Sequence, residues 1–72
     1  IGDWRRAAHF LADLVEDDPT NYDTLYDLAK VSYLAGDFIA SENIVAELRI
    51  KNPAILTTDQ NFYTAITAYE SR

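Results

Sequence analysis

The chain has no cysteine in its 72 residues, which excludes disulfides, thiolate metal sites and a thiol nucleophile, and leaves the compartment open. No apolar run approaches the roughly 20 residues that span a bilayer as a helix. No signal-like apolar segment precedes Asp3, and the first residue is Ile1 rather than Met, so the chain is expected to be excised or processed from something longer. A soluble, cytoplasmic protein is the expectation. Positive charge is scarce: six Lys and Arg stand against twelve Asp and Glu, a net charge of −6. Nucleic-acid binding and docking on anionic membranes both need basic patches, so neither is expected, and a basic or neutral partner suits the chain better. Only two glycines are present, so there is no glycine-rich phosphate loop. Ser32, Ser41 and Ser71 have no nucleophile motif around them. No enzyme activity and no cofactor are expected.

What is present is apolar and helical. Hydrophobic residues make up 49% and charged residues 25%, too apolar for a disordered chain. At this length the chain forms one small domain that buries about 60% of its unfolded surface. Trp4, Ala7, Ala8, Leu11, Leu14 and Val15 recur at three- and four-residue steps. That spacing predicts a helix over residues 3–18 with one buried stripe, capped by Asp3 after Gly2 and stopped before Pro19. A second helix is predicted over 21–35, with Thr20 and Asp23 in a capping-box arrangement, Leu25, Leu28, Ala29 and Ser32 on one face, and Gly36 at its C-terminus. Asp37 then caps a third helix over 38–51, with Phe38, Ser41, Ile44, Val45 and Leu48 as its stripe and Pro53 as its stop. Thr57 is predicted to open a fourth, with Gln60 in the capping-box position and Phe62, Ala65, Ile66 and Tyr69 on its apolar side. No segment alternates as a strand does, so the fold class is all-α with about four helices and short loops.

A shift of 34 superposes residues 2–19 on 36–53. Gly2 falls on Gly36, Asp3 on Asp37, Ala12 on Ala46, Leu14 on Leu48 and Pro19 on Pro53. Trp4 falls on Phe38, Ala7 on Ser41, Phe10 on Ile44 and Leu11 on Val45. The matches sit where a helical hairpin needs them: turn glycine, N-cap, aromatic, small residue, stop proline.

Together with Leu28-Ala29, the series Gly36-Asp37-Phe38, Ser41 and Pro53 resembles the tetratricopeptide repeat family, whose 34-residue unit is a helix-turn-helix. Leu25 stands where that family often has Trp, and Leu48 where it often has Ala. The resemblance implies an α-solenoid of antiparallel helix-turn-helix units. Residues 2–21 correspond to the second helix of a partial repeat, 22–55 to a complete repeat, and 56–72 to a cap or the first helix of the next. It also implies a fragment of a longer array, because such solenoids need about three repeats. In this family the first helix of each repeat lines a concave groove. Carried over, the groove consists of Asp23, Tyr26, Asp27, Lys30, Tyr33 and Leu34, with Gln60, Asn61, Thr64 and Thr67 on the last helix. The i, i+4, i+7 spacing of Tyr26, Lys30 and Tyr33 also puts them on one side of a helix. The Lys-, Arg- and Asn-rich clamp that some members use on a terminal carboxylate is not matched, since Asp23 and Asp27 accompany the single Lys30.

Three readings stay open. The first is a protein–protein interaction module or scaffold that holds a basic or amide-rich peptide in the groove. The second is an assembly element that stacks end to end through Trp4, Phe10 and the last helix. The third is a regulatory or targeting domain of a larger protein. Two weaker signals are set aside. Glu16-Asp17-Asp18 with Asn21 and Asp23 lacks the glycine and terminal Glu of a calcium loop, and His9 with Asp13 one turn on reads as a surface pair.

Overall fold

Four α-helices follow in order in the computed structural model, which describes residues 3–71: α1 (Trp4–Asp17), α2 (Tyr22–Leu34), α3 (Phe38–Lys51) and α4 (Gln60–Glu70). A 3-10 helix, Pro53–Thr58, joins the last two. Among the described residues there is no strand. Consecutive helices are joined by short loops and pack as helix-turn-helix hairpins, α1 on α2 and α2 on α3. No helix among the described residues is long and apolar enough to cross a membrane.

Local chemistry starts and stops these helices. The Asp3 carboxylate accepts from the Arg6 amide at 3.1 Å, and the Asp37 carboxylate from the Ala40 amide at 3.2 Å, which satisfies donors the first turn otherwise leaves open. Gly36 lies at φ +88°, a left-handed conformation that costs glycine little. Around it the Gly36 amide donates to the Tyr33 carbonyl at 3.1 Å and the Asp37 amide to the Ser32 carbonyl at 2.9 Å. This is a complete Schellman termination. Gly2, expected to ease the turn before Asp3, lies outside the described residues.

Two helix starts differ from expectation. α2 is capped by Asn21, whose side-chain oxygen accepts from the Thr24 amide at 3.3 Å, and not by Thr20. The Thr20 hydroxyl is occupied one residue earlier, donating to the Asp18 carboxylate at 2.8 Å in the turn around Pro19. α4 begins at Gln60 rather than Thr57, with Asp59 as its cap, accepting from the Phe62 amide at 3.1 Å. α3 ends at Lys51, just before Pro53, as expected, and Pro53 also takes the first position of the 3-10 helix, where its missing amide costs nothing. The Thr57 and Thr58 hydroxyls donate back to the Ala54 and Ile55 carbonyls, at 2.8 and 2.6 Å.

The core comprises Leu25, Tyr26, Ala29, Val45, Leu48, Ile55, Leu56, Phe62 and Ile66. Every one of these belongs to α2, α3, the 3-10 helix or α4. Full burial of each large apolar side chain is worth about 1.5–3 kcal/mol. Close approach of α2 and α3 uses the two small residues: the Ser41 hydroxyl, fully buried, donates to the Ala29 carbonyl at 2.8 Å. A chain of aromatic rings ties the three helices together, running Tyr26–Phe62–Tyr33–Phe38–Tyr69 with centroids 5.1–5.8 Å apart. Arg49 on α3 grips Glu70 on α4 with two parallel hydrogen bonds, 2.6 and 3.0 Å, and lies over the Tyr63 ring.

The stripe expected to be buried on α1 is only half covered. Ala7, Ala8, Leu11 and Val15 are half-buried, Trp4 and Leu14 are exposed, and no residue of α1 is fully buried. The spacing defined an apolar face correctly, but among the described residues only α2 packs substantially against it.

Candidate functional site

On α2, successive residues rotate by about 100°, so Lys30, Tyr33 and Leu34 look one way and Leu28, Ser32 and Ala35 the other. Each side opens into a hollow. The first, of about 380 Å³, is a cleft between α2 and α4 lined by Lys30, Tyr33, Leu34, Asp59, Asn61, Phe62 and Ala65. The second, of about 720 Å³, lies between α1 and α3 over α2 and has small or apolar walls, Ala8, Ala12, Ala40 and Ile44 among them. The smaller cleft carries the denser set of recognition groups: an ammonium, a carboxylate, an amide, a phenol and an apolar floor. Only Arg5, His9, Ser32 and Asp37 bring side-chain polarity to the larger one.

The expected groove residues divide into three groups. Lys30, Tyr33, Leu34 and Asn61 line the α2–α4 cleft. Asp23 and Asp27 are exposed on α2 but do not line it, and Gln60, Thr64 and Thr67 are exposed on α4, also outside it. Tyr26 is a correction: expected on the groove surface, it is 2% exposed and belongs to the core. The 3-10 helix returns the chain over α2, and the Tyr26 hydroxyl donates to the Leu56 carbonyl at 3.0 Å and the Asp59 carbonyl at 3.4 Å. Burial, then the neighbouring Asp59 carboxylate, raises its phenol above the usual tyrosine range, so it stays protonated.

Three lining residues were not anticipated on this surface. The spacing places Phe62 and Ala65 on the apolar side of the last helix, and a start at Thr57 places Asp59 within that helix rather than as its cap. The cue available was Asp59 itself, a capping residue two before Asn61 and three before Phe62.

The charges at the cleft are largely paired within the chain. Lys30 Nζ lies 3.5 Å from the Asp27 carboxylate, 3.8 Å from that of Asp59, and 4.8 Å from the Tyr26 ring centroid. Its charge is therefore already balanced within the chain. Two carboxylates, Asp27 and Asp59, thus stand against one ammonium. Leu34, 54% exposed, forms an apolar shelf at the edge. Among the described residues no buried side-chain polar atom lacks a hydrogen-bond partner, and no group of three metal-ligating side chains converges. Asp18 of the acidic run is used by the Pro19 turn. His9 faces Asp13 at 3.9 Å on the exposed side of α1.

Trp4 and Phe10, expected at an association surface, are 42% and 63% exposed. Phe10 shares one side of α1 with Leu14, itself 39% exposed, whereas Trp4 borders a shallow hollow shared with Leu34 and Ala35.

Comparison with known proteins gives one match. A family model described as tetratricopeptide repeat matches residues 2–65. No curated protein and no solved structure matches the chain.

Proposed function

The chain belongs to the tetratricopeptide repeat family, a non-catalytic repeat that generally mediates protein–protein interaction, and from that premise we propose that it holds a peptide segment of a protein partner in the cleft between α2 and α4. The observation that carries this reading is the convergence of Lys30, Tyr33, Leu34, Asp59, Asn61, Phe62 and Ala65 on one cleft of about 380 Å³. Tyr33, Phe62 and Leu34 supply apolar area for one anchoring side chain. Asn61 offers both a donor and an acceptor to the backbone of an extended peptide. The partner segment is basic or neutral, because Lys30 is already neutralised by Asp27 and Asp59 while Asp23 extends the negative strip along α2.

The test is capture of peptides from an immobilised library, comparing the native chain with a Leu34→Ser, Asn61→Ala double variant. Both positions are exposed, so the circular-dichroism spectrum should not change. Loss of capture with helicity intact is the expected result; undiminished capture would remove the cleft as the site. Tyr26 is unsuitable for this purpose, since its removal would empty the core.

A further inference from the structure

Four of the residues that line the cleft between α2 and α4, Tyr33, Leu34, Phe62 and Ala65, present rings or aliphatic groups. Tyr33 and Phe62 already meet edge to face, with centroids 5.8 Å apart and planes at 83°. A third ring entering beside them can adopt the same geometry, which adds attraction beyond the area it buries. At about 380 Å³ the cleft admits one large side chain of an extended segment. A turn of helix, about 10 Å across, is too wide to enter it.

Lys30 discriminates among side chains. Its Nζ lies 4.8 Å from the centroid of the Tyr26 ring, and Lys30 lines the cleft while Tyr26 does not. The ammonium therefore stands between a buried ring and the cleft. Its carboxylate neighbours, Asp27 and Asp59, are at 3.5 and 3.8 Å, beyond ordinary hydrogen-bond length, so among the described residues its N–H groups have no close acceptor. The side chain is 29% exposed, and such a partly desolvated cation attracts the negative face of a further ring. A lysine or arginine from the partner would meet this ammonium at short range. Asp59 offers such a cation little, because its carboxylate already caps α4 and pairs with Lys30. A carboxylate from the partner would meet Asp59 itself. An aliphatic side chain meets neither obstacle but has no π face for Lys30. We propose that the anchor this cleft takes from its partner is an uncharged aromatic side chain, set against Tyr33 and Phe62 with its face toward Lys30. The proposal rests on the cleft reading above and adds to it the chemistry of the anchoring residue.

NMR titration of the 72-residue chain with short, capped Gly-Ser peptides tests this. The peptides differ only at one central residue: phenylalanine, cyclohexylalanine, leucine or lysine. Cyclohexylalanine keeps the ring and its apolar area but has no π face, so burial alone would rank it at least level with phenylalanine. The expected result is amide shifts centred on Leu34, Asn61 and Ala65, with phenylalanine bound about fivefold tighter than cyclohexylalanine and lysine bound weakest. Lys30→Met, which keeps an unbranched apolar stem, cuts that preference about twofold or more while leaving helicity unchanged. Equal binding of phenylalanine and cyclohexylalanine to the native chain, a comparison that needs no variant, overturns the aromatic anchor. So does a preference that Lys30→Met leaves intact. In both cases shifts confined to the cleft keep the cleft reading standing. Shifts elsewhere, or none with any peptide, remove the cleft reading and the anchor together.

Discussion

α1 and α3 start and stop alike but hold unequal places in the structure. Each opens on an aspartate whose carboxylate accepts from the amide three residues on, at 3.1 and 3.2 Å. Each is followed by a proline, and an aromatic residue leads each apolar stripe. Yet Leu48 of α3 is fully buried while its counterpart Leu14 is 39% exposed. Ser41 and Val45 are buried; Ala7 and Leu11 are half-covered. The difference lies in the neighbours. α3 packs against α2, the 3-10 helix and α4, and α1 against α2 alone to any substantial extent. A capped, periodic stripe makes a helix and decides which face can be buried. How much free energy that face returns depends on what meets it.

The sharpest test of this contrast is truncation at the paired leucines. Leu48→Ala should cost about 2–5 kcal/mol, the range for a buried leucine that leaves a cavity. Leu14→Ala should cost about 1 kcal/mol or less in the monomer. Urea denaturation at low protein concentration reads both, and equal losses would erase the distinction between the two helices. Next in size is Tyr26→Phe, which removes a buried hydroxyl and leaves the Leu56 carbonyl without its donor, for about 1–2 kcal/mol. Trp4→Phe on α1 should stay within about 0.5 kcal/mol. Cap removal probes whether equal local chemistry has equal reach. Asp37→Ala and Asp3→Ala should each cost about 1 kcal/mol of helix stability. The first should lower the global unfolding midpoint, whereas the second should accelerate amide exchange in the first turn of α1 with little global change.

A further modest effect is electrostatic. Hydrogen bonds from Arg49 hold the Glu70 carboxyl below the usual glutamate range against the opposing cost of burial. Its contribution to stability is therefore complete above the unfolded value of about 4.3 and is lost as pH falls through the lower folded value. The pair is partly exposed, which limits its worth to about 1 kcal/mol or less. Glu70→Gln should flatten that acidic part of the stability profile, and Asp13→Asn on α1 should leave it in place.

What could be read from the residues follows the range of the interactions. Asp3, Gly36 and Asp37 were legible because their work is done within five residues of the chain. Thr20 was mistaken for Asn21 because two adjacent capping side chains compete, and Pro19 decides which is left free. The start of α4 was missed because a proline after a helix serves equally as a stop and as the first residue of a new turn. Tyr26 failed for another reason. Its i, i+4, i+7 relation to Lys30 and Tyr33 identifies a side of α2, but Ile55 and Leu56 fold back onto part of that side. No local pattern announces where a returning segment lands. Gln60 and Thr64 missed the cleft, and Ala65 joined it, through the rotation of α4 about its own axis, which is fixed by packing of Phe62 and Ile66.

The elbow between α2 and α3 has a mechanical consequence. Asp37 donates its amide to close α2 and lends its carboxylate to open α3, so one residue serves both helices and no slack lies between them. Fixed on both sides by these hydrogen bonds, the elbow is expected to act as a stiff coupling whose angle is set by a glycine and an aspartate, so that load along the chain would be taken up between hairpins before it bends one.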